Sequence, residues 1–302
     1  MKKVISLLVL VLLVSGCTQF DIFNRNQDVK EISDDVITVE NVKVLPTPPL
    51  NPDDYFTISF QLVNNDEKKD VPVFYEILDD GMCNLVTLGD KSGNFDDNPL
   101  VPGQVEFKEW TFKTPEGEAI GNIRNTCPIR FRIRYNFFSE SEVEVNVISV
   151  DRYTYLQQTG EYETFTPTLV VGRGPIKIYM DLAATMPLRS RSKLPVYVEV
   201  KDKGTGLMKE VPPHKLVVQV PNEFVGEDDN CGVLDNVTVM VDNTYFMNNA
   251  PIPFISKETF KIKCTFTAPD VDLEQTYFMN AYFLDYSYDI IEQVDVSVEP
   301  LP

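Results

Sequence analysis

One strand-like pattern occurs twice in this chain, and it restricts the fold more than any other feature. The stretches PLNPDDYFTISFQLVNND (49–66) and PLRSRSKLPVYVEVKDKG (187–204) superpose at a constant offset of 138 residues. Phe56, Ile58, Phe60 and Leu62 then match Leu194, Val196, Val198 and Val200. Apolar residues at every second position define a strand with one buried face, because successive side chains of an extended chain point to opposite sides. Further on, EWTFKTP (109–115) matches KCTFTAP (263–269), and Val143, Val145 and Val147 align with Val294, Val296 and Val298. Strand order is preserved, so the expectation is one β unit used twice, at 36–150 and 174–302.

Each copy offers about seven short alternating segments punctuated by Pro, Gly and Asn, with almost no helical periodicity. The fold class expected is all-β: two tandem antiparallel β-sandwich domains. The last two strands of copy one are expected to form a hairpin turning at Phe138. Ile133 would face Val143, Phe131 would face Val145 and Ile129 would face Val147, with Arg134 and Arg132 meeting Glu142 and Glu144 on the other face. The same register in copy two pairs Leu284 with Val294 and Tyr282 with Val296. On this reading the cationic stripe of Arg130, Arg132 and Arg134 is neutralised by its neighbours rather than kept for a ligand.

At the N-terminus, Lys2 and Lys3 precede the apolar run Val4–Val14, which small residues and Cys17 follow. That order is the layout of an export signal. Eleven helical residues span roughly 16 Å, about half of a hydrocarbon core, so a membrane-crossing helix is a poor fit. Leu13, Val14, Ser15, Gly16 and Cys17 resemble the prokaryotic lipobox, and the resemblance implies removal of 1–16 and a lipid on the Cys17 sulfur. A diacylglyceryl group carries two acyl chains, enough for stable anchoring. The expected location is therefore extracytoplasmic, attached to the cell membrane by lipid, with 17–35 as a tether.

Cysteine arithmetic points the same way. Five cysteines are an odd number, and setting Cys17 aside leaves Cys83, Cys127, Cys231 and Cys264. Cys127 and Cys264 share the parity of inward-facing neighbours, and the economical bridges are Cys83 with Cys127 and Cys231 with Cys264. Trp110 aligns with Cys264, so the two bridges would use different strands in the two copies. Closing the loop from 83 to 127 would constrain the unfolded chain by roughly 4 kcal/mol. Such bonds persist outside the reducing cytosol.

The segments FTISFQLVNNDEKKDVPVFYEIL and VYVEVKDKGTGLMKEVPPHKLVVQV resemble the opening hairpin of immunoglobulin-like surface modules of the CARDB type. The resemblance implies non-catalytic spacers, adhesins or docking units of bacterial or archaeal surfaces. The first copy lacks the usual turn glycine, and neither has the Cys, Trp, Cys spacing of antibody domains. Residues 151–173 are expected to link the domains, with Tyr153, Tyr155, Tyr162 and Phe165 packed on a domain flank.

Little in the chain is suited to catalysis. His214 is the only histidine, which removes mechanisms that need a histidine base beside Ser or Cys, and no nucleotide-binding or metalloprotease motif occurs. A formal charge of −19 argues against nucleic acid and against adsorption to anionic lipid. No cofactor is expected. Asp96 and Asp97, with Asp228 and Asp229, lie in related acidic loops and are weak calcium candidates, because hard oxygen donors suit that ion. Tyr245, Phe246, Phe283, Tyr286 and Tyr288 fall in segments read as loops and are candidate aromatic contacts for a partner, with packing in the core or between the domains as the competing reading. Asn236 opens an N-V-T sequon. The function expected is a non-enzymatic envelope lipoprotein that binds or scaffolds an envelope protein or polysaccharide, with calcium or glycan binding as the alternative.

The Cys17→Ser substitution should move the protein from the membrane fraction of its native host to the soluble fraction. Intact mass of native material should show the wild-type chain starting at a lipid-modified residue 17.

Overall fold

The computed structural model describes residues 28–31, 34–79, 85–94, 99–120, 123–225 and 230–300. Cys17, Cys83, Asp96, Asp97, Asp228 and Asp229 lie outside them. The fold is almost entirely β, arranged as several sheets. Among the described residues no helix is long and apolar enough to cross a membrane.

The alternation found in the sequence is realised in two equivalent sheets. In the first half, strands β2 (Ile37–Leu45), β3 (Tyr55–Asn64), β7 (Val105–Lys113) and β5 (Val86–Leu88) pair in the order β2-β3-β7-β5. In the second, β10 (Ile176–Leu182), β12 (Lys193–Asp202) and β18 (Ile262–Thr267) pair in that order. Phe56, Ile58, Phe60 and Leu62 are buried, as are Leu194, Val196, Val198 and Val200. The registers of the two sheets correspond, since Ile58 pairs with Trp110 where Val196 pairs with Cys264.

Both sheets pack against one larger sheet. It runs β1 (Asp28–Glu31), β9 (Thr168–Val171), β8 (Asn125–Ile148), β19 (Glu274–Val298), β14 (Leu216–Pro221), β16 (Asn243–Met247), β15 (Asn236–Val239). Strands β4 (Val73–Asp79), β6 (Ser92–Asn94) and β11 (Leu188–Arg189) join it beside this path, and β13 (Glu210–Val211) pairs with β17 (Ile252–Pro253) in a separate ribbon. The expected tether and linker are partly structured. Asp28–Glu31 lies parallel to Thr168–Val171, and helix α1 (Val150–Thr159) is capped by Ser149 and Gly160.

The expected hairpins do not form. Residues 125–148 run straight as one strand of 24 residues, and 274–298 run straight as another of 25, antiparallel to the first along its whole length. Ile133 pairs with Ile290 instead of Val143, Ile129 with Val294 instead of Val147, and Val143 with Met279. The reason lies in turn chemistry: neither 129–148 nor 272–298 contains a glycine or proline. A tight hairpin needs residues that accept positive φ.

The closing strands are therefore exchanged between the copies. Two parallel contacts show it: Leu188 lies beside Val147, and its repeat equivalent Leu50 lies beside Val298. Val147 and Val298 are themselves equivalent, so each copy closes with the strand that the other supplies. Strand β4 and residues 286–298 flank the first part of β8, whereas β9, β11 and residues 274–283 flank the second.

A bulge adjusts the phase of the ladder. Leu284 and Asp285 together oppose Phe138, and Asp285 takes φ 41°, a left-handed conformation that Asp tolerates better than most residues. Before the bulge the odd residues Met279, Ala281 and Phe283 point inward; after it the even residues Tyr286, Tyr288 and Ile290 do.

Trp110, the only tryptophan, sits in the first-half core with ring centroids 5.0 Å from Phe60, 5.1 Å from Phe131 and 5.9 Å from Tyr75. Phe131 lies on β8, so this core depends on a strand whose outer partner is residues 286–298. Ending the chain at Asp285 should therefore shift Trp110 fluorescence to the red and speed amide exchange in β4 and β8. An unchanged Trp110 environment would contradict the exchange.

Candidate functional site

The structure corrects the aromatic candidates. Phe246, Phe283, Tyr286 and Tyr288 are core residues at 2 %, 0 %, 1 % and 0 % exposure, so they are closed to a partner. The segment read as a hairpin tip is the middle of β19, where strand alternation and the bulge turn these side chains inward. Phe283 stacks on Tyr286 at 4.6 Å, and Phe246 packs on Phe266 at 5.5 Å across the two sheets. Tyr245 alone of the five stays partly accessible, on the opposite face of β16.

The arginine stripe is neutralised, by other partners than expected. Arg134 Nε donates to Asp289 Oδ1 at 2.7 Å, Arg132 pairs with Glu76 and Asp289, and Arg130 pairs with Asp79 at 2.9 Å. The Asp289 hydrogen bond also raises the Arg134 guanidinium above its ordinary value. Cys231 is bridged to Cys264, and Cys127 is disulfide-bonded as well. Cys83, proposed as its partner, lies outside the described residues. His214 is exposed, with Nδ1 3.2 Å from the Asn236 amide. In the former linker Tyr153 meets Tyr162 edge to face at 5.0 Å, and Tyr155 and Phe165 remain exposed.

The densest polar assembly lies where the halves meet, around the β19 bulge. Tyr288 Oη donates to Asp202 Oδ1 at 2.7 Å, and Gly204 N donates to the same oxygen at 3.1 Å. The hydroxyls of Ser139 and Tyr286 are 2.9 Å apart. Thr205 N donates to Asp35 Oδ1 at 3.2 Å, and Lys257 Nζ donates to the carbonyl of Gly204 at 2.8 Å. Fully buried Lys177 donates to the Gly172 carbonyl at 3.0 Å and pairs with Asp34 at 3.2 Å. The turn demands glycine at two places, since a Cβ on Gly204 would lie 2.5 Å from Tyr288 Oη and one on Gly206 would lie 2.2 Å from the Asp289 carbonyl.

Burial dominates the electrostatics of this seam. It lifts the Asp202 carboxyl above the usual range, opposed by the Tyr288 hydrogen bond and the Lys257 charge. It lifts Asp35 likewise, opposed by the Thr205 amide. Tyr286 and Tyr288 are pushed upward by burial, and Tyr288 additionally by its bond to Asp202. Asp202, Tyr286, Tyr288 and Lys177 are buried, Asp35 is half-buried and Lys257 exposed, and the bonds among them tie the halves in register. Sequence reasoning missed the cluster because Asp35, Asp202 and Tyr288 are far apart along the chain. The one local sign was the GTG turn at 204–206.

The sequence matches no family model and no curated protein. Among solved structures, the chain aligns with chitinase ChiA74 from Bacillus thuringiensis at 12 % identity and TM-score 0.20, over 80 % of this chain and 28 % of the enzyme. With red sea bream transglutaminase the values are 8 %, 0.21, 89 % and 32 %. With the secreted serine protease VesC from Vibrio cholerae they are 10 %, 0.18, 79 % and 48 %. The chain thus spans less than half the length of each, and likenesses this slight bear on neither fold nor activity.

The raised Asp202 has a definite pH consequence. A carboxyl whose folded pKa exceeds its unfolded value takes up a proton on folding, so its contribution falls as pH rises through the folded pKa. The difference in thermal midpoint between D202N and wild type should accordingly grow in favour of D202N from about pH 4 to neutrality. A difference independent of pH would show that the carboxyl keeps its ordinary value.

Proposed function

We propose that this protein is a non-enzymatic lipoprotein of a prokaryotic cell envelope, held to the membrane through Cys17, that presents two fused immunoglobulin-like domains as one rigid arm to an envelope partner. The observation that supports this best is the strand exchange. Two domains joined by a flexible linker move independently, whereas here β8 and β19 cross the junction as continuous hydrogen-bonded strands. An arm of this kind holds its far surface at a fixed distance and angle from its anchor, as a scaffold requires.

Two further features fit the reading. The Cys231–Cys264 bridge suits an oxidising compartment. Edge strand β15 and the turn after it expose Val237, Val239, Met240 and Val241, the last at 93 %. Uncharged apolar edges are places where other chains attach.

Spin labels at Glu109→Cys and Lys263→Cys, exposed positions on the outer sheets of the two halves, test the rigid arm. Double electron–electron resonance should give one narrow distance distribution in solution. A broad distribution would replace the arm with two independently moving modules.

A further inference from the structure

We infer that the solvent face of the β10-β12-β18 sheet is a binding groove for an acidic polysaccharide, a polymer that carries carboxylates spaced among hydroxyls. The inference rests on the reading of the protein as a surface-binding module, and it names the class of partner. The groove has a volume of about 320 Å³, within the range of small-ligand sites, and Tyr179, Asp181, Glu199, Lys201, Lys203 and Lys261 line it. A second hollow beside Phe165 and Thr185 shares Asp181 with it, so the concave surface continues along the β10 edge.

The chemistry of the lining selects the ligand. What distinguishes this hollow is that cations without an ion pair line a concave surface rather than a convex one. Lys203 and Lys261 are exposed and form no ion pair among the described residues. Lys201 differs from them, because its ammonium lies 3.2 Å from Glu199 Oε2 and 2.9 Å from Glu258 Oε1. That clamp fixes the Glu199 carboxylate, which is 14 % exposed, as an oriented acceptor on the groove floor. Tyr179 stands directly across from Glu199 in the sheet and is half-buried, with Lys201 Nζ 5.6 Å from its ring centroid.

Each part answers one feature of a uronate chain. Asp181 and Glu199 accept from sugar hydroxyls, the Tyr179 ring meets the C–H face of a pyranose, and Lys203 and Lys261 attract the ligand's carboxylates. The two carboxylates also discriminate. They repel a ligand with charge at every unit, such as a polyglutamate peptide, more than one whose charges are diluted by hydroxyls. A neutral glycan, in turn, gains nothing from the two lysines.

The test uses the full lipidated chain in detergent with three probes: alginate, dextran and polyglutamate. Alginate should bind and should weaken as salt is raised, dextran should bind at least about tenfold more weakly, and polyglutamate should not compete. The double variant K203Q/K261Q, whose side chains are exposed, should keep the wild-type circular dichroism and thermal midpoint while losing about tenfold or more in alginate affinity. Y179A should lose affinity for alginate at all salt concentrations. Equal alginate binding by wild type and K203Q/K261Q would overturn the proposal, as would tighter binding of polyglutamate, which would make the groove a peptide site. Absence of alginate binding, with Cys17-dependent membrane retention and the narrow spin-label distance both intact, would remove the groove and leave the rigid arm standing.

Discussion

Everything in this molecule hangs on the antiparallel ladder between β8 and β19. Strands of ordinary proteins run to about five or six residues; these two run to 24 and 25 and stay paired from Asn125 with Val298 to Ile148 with Glu274. The first-half core around Phe60, Trp110 and Phe131 leans on a strand covered by residues 286–298. The second-half core leans on a strand covered by residues 139–148. Separating the halves would break backbone hydrogen bonds along β8 and expose Ile129, Ile133, Val143 and Val145 together, which sets a high cost on opening the junction.

A continuous sheet must still change direction between its two cores, and the bulge at Leu284 and Asp285 does this. It moves the inward set of β19 from odd to even residues while β8 keeps odd residues inward throughout. The polar cluster of Asp202, Tyr288, Asp35 and Lys177 lies at the junction, with Tyr288 on the even-numbered inward set that begins after the bulge. Burying such groups costs free energy unless each finds a partner. Their mutual bonds offset part of that cost and penalise any slip of register, since a shift would leave Tyr288 without Asp202.

Much of this was legible in the residues. The offset of 138, the inward parity of Cys127 and Cys264, the equivalence of Trp110 with Cys264 and the all-β class follow from alternation alone, and the structure realises each. The choice of strand partner was not legible. Val143, Val145 and Val147 carry the same period-two pattern as Val294, Val296 and Val298, so hydrophobic register cannot tell one closing strand from the other. Charge did not decide it either, because Arg134 had acidic candidates in Glu142, Glu76 and Asp289. The missing glycine and proline around Phe138 and Asp285 were the one local warning against hairpins. The same omission misplaced Phe283, Tyr286 and Tyr288 on a surface loop. The seam could not be read from spacing, since it gathers residues from segments far apart in the chain. Of the groove residues, Tyr179, Asp181, Glu199, Lys201 and Lys203 lie within 179–203 at alternate positions, and alternation marks them as outward without showing that they line a hollow.

Trading closing strands also has a hereditary consequence. A gene built by tandem duplication usually can lose one copy again by recombination, and the remaining copy survives as a smaller protein. Here a single copy would carry a β strand grown to fit its sister and an unclosed sandwich, so a deletion would have to re-invent a turn in the same event. The exchange works as a ratchet: once the doubled form arose, descent could embellish it but not readily halve it.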